Sequence, residues 1–153
     1  MPTETMPLRE LTVRYAVKTD DEGRPVMIGR TLTTPRESAA VLVPLLQHEP
    51  SEVFVLLLLS TRQSVIAYHE VGRGTLDTVL VTPREVFKAA ILGNAAAVIV
   101  AHSHPSGDPT PSRDDFELTS RLTAAGVLLG IEILDHIVVG DGRYVSFKEI
   151  GRL

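Results

Sequence analysis

The chain has 153 residues, a length that one hydrophobic core serves and that two full domains would exceed. Hydrophobic residues make up 44% and charged residues 22%, which excludes the sparse-core composition of a disordered chain. The absence of cysteine excludes disulfides, thiol nucleophiles and zinc sites built on thiolates, and a formal net charge of −4 argues against nucleic acid as a partner.

Residues 11–18 alternate apolar and polar, Asp20-Asp21-Glu22-Gly23 supplies turn chemistry, and residues 26–32 can return as a second strand. The pattern predicts an N-terminal hairpin extension, assigned to residues 1–35. Thr34-Pro35-Arg36-Glu37 then joins a capping hydroxyl, a proline suited to the first helical position and a glutamate that completes a capping box. A helix is expected to about Gln47, kinked or shortened by Pro44.

Residues 53–59 are apolar throughout, as in a strand covered on both faces, and residues 64–71 alternate. Gly72-Arg73-Gly74 breaks the pattern before residues 76–81 resume it. Thr82-Pro83-Arg84-Glu85 repeats the earlier helix start, and Gly93 ends that helix. The recurrence reads as two helices sharing start chemistry, not as a duplicated unit.

Residues 95–101 form another buried-looking strand that leads into His102-Ser103-His104-Pro105. Ser106-Gly107-Asp108-Pro109-Thr110-Pro111 is too rich in proline for helix or ladder. Ser112 caps a helix to about Ala125, which Gly126 is expected to stop. Residues 131–139 and 143–147 read as a hairpin turned at Gly140-Asp141-Gly142. Helices interleave with strands, so the fold class is α/β (mixed α+β), one mixed β-sheet flanked by helices over residues 36–153. No apolar run approaches the roughly 20 residues that cross a bilayer, and no basic-then-apolar leader opens the chain, so a soluble cytoplasmic protein is expected.

Among the five histidines, His48, His69 and His136 are isolated in the sequence and read as structural. His102 and His104 stand two apart at a strand end, where side chains share one face and can converge on one ion. Asp115 lies in the first turn of the following helix, and Leu118 and Leu122 follow it at helical spacing, which turns its carboxylate toward the core. A buried carboxylate needs a partner, and a divalent cation held by two imidazoles provides one. Read alone, Ser112-x-x-Asp115 is a capping box; read with the two histidines, Asp115 is a third metal ligand. Two His and one Asp leave the fourth tetrahedral position of Zn2+ open to water, an arrangement suited to hydrolysis if a glutamate handles the proton.

His102-Ser103-His104-Pro105 with Ser112 and Asp115 at this spacing resembles the zinc motif of the JAMM (MPN+) metalloproteases. Residues 72–77, Pro83-Arg84-Glu85-Val86-Phe87, Asn94-Ala95-Ala96-Ala97, residues 104–109, Leu134-Asp135-His136 and Val145-Ser146-Phe147 look like the bacterial RadC-like (JAB domain) branch of that family. The resemblance spans about residues 50–150. It implies a cytidine-deaminase-like MPN fold and zinc-dependent hydrolysis of peptide or isopeptide bonds, with one Zn2+ per chain on His102, His104 and Asp115. It also implies that Ser112 stabilises the oxyanion and that the catalytic glutamate opens the first core strand, where Glu52 stands; Glu70 is the competitor.

Longer RadC-like proteins carry an N-terminal helix-hairpin-helix region, to which residues 1–50 show no obvious counterpart, so a DNA-repair role has little support. The leading reading is a metallohydrolase acting on a protein or peptide. A non-catalytic MPN-type scaffold and a DNA-repair-associated factor are the alternatives. Exposed strand edges would also allow a homodimer.

Overall fold

A computed structural model of the chain describes residues 1, 4–74 and 81–153. The strand expected at residues 76–81 falls outside them except for Val81, which is not in a strand. The elements run α1 (Pro35–Leu46), β1 (Val53–Leu59), β2 (Val65–Arg73), α2 (Pro83–Leu92), β3 (Ala97–Ser103), α3 (Arg113–Leu129), β4 (Glu132–Gly140) and β5 (Arg143–Ser146).

The five strands form one sheet in the order β2-β1-β3-β4-β5. β1 is antiparallel to both β2 and β3, and β5 is antiparallel to β4. β3 and β4 are parallel, so their connection must cross a sheet face, and α3 makes that crossing. The uninterrupted apolar runs in β1 and β3 follow from this layering. Val53, Val55, Leu57 and Leu59 of β1 pack with Leu42 and Leu46 of α1. Phe54, Leu56 and Leu58 face the other way, onto Val86 and Phe87 of α2 and Leu122 of α3. A strand buried on both sides has no polar face to alternate with.

The helix starts follow the sequence reading. At α1 the Thr34 hydroxyl accepts from the Glu37 amide at 3.2 Å while the Glu37 carboxylate accepts from the Thr34 amide at 3.1 Å, a reciprocal capping box. α1 runs through Pro44 and ends two residues later; Ala40, whose carbonyl loses its helical partner there, is exposed to solvent. At α2 Thr82 caps Glu85, but the Glu85 carboxylate turns outward to Lys88 at 2.8 Å. The same four residues thus produce one full box and one half box.

Two expectations are corrected. Gly126 does not stop α3, which continues to Leu129 and ends at Gly130 in the left-handed region (φ 71°). Gly126 lies inside the helix because any Cβ there would collide with the Ile131 carbonyl oxygen and crowd the Phe87 ring. The N-terminal hairpin does not form. Its turn is present, with the Gly23 amide donating to the Asp20 carbonyl at 3.0 Å, yet the arms meet only at one bridge, Thr19 to Pro25. Leu11 is 77% exposed, Val17 73% and Met27 85%, so the alternation finds no surface to bury against. Burial begins at Leu32, beside the bridge from Thr31 to Ser64 at the start of β2.

Candidate metal centre

The end of β3 carries His102 into the sheet interior, between Phe54 of β1 and Val138 of β4 in register. Phe54 stacks on its ring, with centroids 6.0 Å apart. His104 follows just past the strand, tied back by its amide to the Val139 carbonyl at 2.8 Å. Asp115 is the third residue of α3, and its side chain points inward, leaving the residue 4% exposed.

These elements bring three ligand atoms together. His102 Nε2 and His104 Nε2 are 2.9 Å apart, and Asp115 places Oδ1 3.2 Å from the first and Oδ2 3.3 Å from the second. All lie within 4.8 Å of one another, a grouping able to hold a metal ion. The imidazole and carboxylate donors suit zinc or another divalent transition metal.

The choice between cap and ligand at Asp115 dissolves in the structure. Its Oδ2 accepts from the Ser112 amide at 2.8 Å while its own amide donates to Ser112 Oγ at 3.1 Å. The capping box therefore sets the rotamer that aims the carboxylate at the two histidines. Burial pushes the Asp115 carboxyl up, but the bonds to His102 and His104 outweigh it and hold the group far below the usual carboxylate range. The same carboxylate raises His104, against the opposing effect of burial.

The loop after β3 orients His104. Its Nδ1 lies 2.8 Å from the Asp108 carbonyl oxygen; a carbonyl can only accept, so Nδ1 carries a hydrogen and, in the neutral ring, Nε2 keeps its lone pair. The Asp108 carboxylate in turn holds the Thr110 amide at 3.0 Å and hydroxyl at 2.7 Å. The loop rests on the β4–β5 turn, where a Cβ on Gly140 would strike the Gly107 backbone.

His136, read from the sequence as isolated, is fully buried against this centre. Its Nε2 lies 2.8 Å from His102 Nδ1, its Nδ1 lies 2.6 Å from Thr119 Oγ1, and Phe147 stacks on its ring with centroids 4.5 Å apart. Burial holds its pKa well below the ordinary histidine value. One signal for Thr119 was available, a polar residue four positions after Asp115 on the core-facing stripe. Leu134-Asp135-His136 contributed to the family resemblance, but no local signal gave His136 a role, because its partner is 34 positions away.

Glu52 immediately precedes β1 and lines a cleft of about 310 Å³ together with His104, Pro105, Ser106, Ser112, Asp114 and Asp115. Its charge contributes to the upward shift of His104. Glu70 sits on the edge strand β2 and pairs with Arg73 at 2.6 Å; Arg73 also holds Glu49 at 2.6 Å. It is not among the residues that line the cleft. His48 and His69 are exposed and outside the cluster. Among the described residues no helix is long and apolar enough to cross a membrane.

The model of the RadC-like JAB domain matches residues 32–152. A UPF0758 protein of Symbiobacterium thermophilum is 53% identical over 122 residues, covering 80% of this chain and 52% of that protein. A UPF0758 protein of Methanosarcina acetivorans is 46% identical over 122 residues, covering 80% of this chain and 53% of that protein. The chain thus spans about half the length of the curated relatives it matches. The mixed α/β domain, its five-stranded sheet flanked by three helices, is consistent with the JAB/MPN fold. The chain belongs to the RadC-like JAB domain family.

Proposed function

We propose that this chain is a zinc-dependent hydrolase that cleaves a peptide or isopeptide bond in a protein or peptide substrate. The observation that carries the reading is the convergence of His102, His104 and Asp115 on one point beside a cleft that Glu52 and Ser112 also line. A zinc ion held by those three residues would supply Lewis acidity, activating water near neutral pH and polarising the scissile carbonyl.

The remaining chemistry falls to the chain's own groups. The Glu52 carboxylate takes a proton from the attacking water as the water oxygen bonds to the carbonyl carbon. It then delivers that proton to the departing amine as the C–N bond breaks. Ser112 Oγ already accepts from the Asp115 amide, which leaves its O–H to donate to the oxygen on which negative charge develops. Asp115 is buried and His104 half-buried beside the cleft, so charges next to them are screened less than on a fully exposed surface.

Two measurements test the reading in order. Elemental mass spectrometry of the untagged chain should find zinc near one equivalent, lost in His104→Ala. Glu52→Gln should then keep fold and zinc while hydrolysis of a panel of lysine-linked peptides falls by about 10²–10⁴-fold. Unchanged hydrolysis in Glu52→Gln would move the base elsewhere, and a chain that takes up no zinc would end the metallohydrolase reading.

A further inference from the structure

The hydrogen bonds behind the metal centre form a chain whose direction can be worked out atom by atom. It begins on α3, where Thr119 Oγ1 lies 2.8 Å from the carbonyl oxygen of Asp115. A carbonyl has no hydrogen to give, so the hydroxyl proton is spent on that bond. Toward His136 Nδ1, 2.6 Å away, Thr119 Oγ1 can then only accept, and Nδ1 must carry a hydrogen. The His136 ring is fully buried and its hydrogen-bond partners are a hydroxyl and another imidazole, an environment for the neutral ring with one N–H. Its Nε2 is therefore bare, and across the 2.8 Å contact His102 Nδ1 is the donor.

The consequence falls on the other side of the His102 ring. With its hydrogen on Nδ1, His102 presents Nε2 as a lone pair, 2.9 Å from His104 Nε2 and 3.2 Å from Asp115 Oδ1. His104 Nε2 is bare by the Asp108 carbonyl argument. With both rings neutral, three acceptor atoms face one another, an arrangement that either a proton shared with the carboxylate or a metal cation at their centre relieves, and the tautomer leaves Nε2 of each ring free for the metal.

We propose that Thr119 and His136 are positioning residues: together they lock His102 in the tautomer whose Nε2 can bind a divalent cation. The relay closes on itself, because the carbonyl that orients Thr119 belongs to Asp115, the third ligand. A displacement of α3 that moved Asp115 would also release the tautomer of His102, so the ligand set forms or fails as a unit. The inference rests on the metal-binding reading above but not on any hydrolytic activity.

The test uses the full chain, uniformly ¹⁵N-labelled. Long-range ¹H–¹⁵N spectra of the imidazoles should show His102 and His136 as single Nδ1–H tautomers, both without metal and with zinc. Zinc affinity, measured by competition with a chromophoric chelator, should weaken by about 10- to 100-fold in Thr119→Val. Thr119→Ser, which keeps the hydroxyl, should return near the parent affinity. A role confined to packing would lower the melting temperature of the metal-free variant and leave tautomer and rescue pattern unmoved. Parent-like zinc affinity in folded Thr119→Val would overturn the proposal, as would an Nε2–H tautomer at His102 in the parent. Should Thr119→Val not fold, the parent spectrum decides alone. Should the parent take up no zinc, the metallohydrolase reading fails while the spectrum still tests the relay.

Discussion

Residues 11–17 and β1 invert the usual relation between pattern and structure. Leu11, Val13, Tyr15 and Val17 stand at alternate positions, yet all four are exposed and no strand forms. Val53–Leu59 has no alternation and is the second strand of the sheet order, every residue buried. An alternating pattern names a face but supplies nothing to cover it, whereas a run apolar on both faces demands two partners, and α1 on one side with α2 and α3 on the other provide them. The N-terminal stretch touches the domain lightly, as where the Tyr15 hydroxyl donates to the Gly93 carbonyl at 3.1 Å. The RadC-like match starts at residue 32, the same residue at which burial starts.

The contrast can be broken by substitution. Phe54→Ala, which empties a fully buried site beside His102, should cost about 3–5 kcal/mol in urea unfolding. An equal cost for Leu11→Ala would show that the N-terminal stretch is covered in solution. Gly126→Val, which sets a side chain against the Ile131 carbonyl and the Phe87 ring, should cost about 1–3 kcal/mol, read as a lowered melting temperature.

Zinc uptake sharpens the comparison at the site itself. Asp115 raises the His104 pKa, so at pH values below that raised pKa a metal must displace a proton from the imidazole. Apparent affinity should then fall by up to about tenfold per pH unit, ~1.4 kcal/mol. A chelator competition series read at several pH values checks this, and a flat profile would remove His104 from the ligand set. Thr34→Ala should cost ~1 kcal/mol through loss of the reciprocal cap, and Thr82→Ala less, because Glu85 there already faces Lys88. Smallest of all, Val13→Ser with Val17→Ser should change stability by no more than about 0.5 kcal/mol.

The site was legible where its chemistry is local. His102 and His104 share a strand end, Ser112 and Asp115 share a helix start, and both spacings are visible in the chain. The cap that competed with the ligand reading turned out to be the device that aims the Asp115 carboxylate at the two histidines. Glu52 and Glu70 could be ranked by position alone, and the fold then separates them, one lining the cleft and the other paired with Arg73 on an edge strand.

Local spacing did not reach His136. It meets His102 only because β3 and β4 run parallel with Val100 opposite His136 and His102 opposite Val138, and because α3 brings Thr119 over the same ring. The role of Gly126 was likewise out of reach, since its missing side chain makes room for Ile131 and for Phe87, 39 positions earlier, and not for a turn. From the sequence by itself came most elements of the domain, their N-caps and the three clustered donors His102, His104 and Asp115, because helix starts, two-faced strands and i, i+2 spacing are properties of neighbouring residues. Tertiary structure alone decided which alternating segment found a surface, where α3 ends and which buried histidine meets His102, because each depends on groups distant in sequence: β1 beside β2, Ile131 and Phe87 against Gly126, and β4 beside β3.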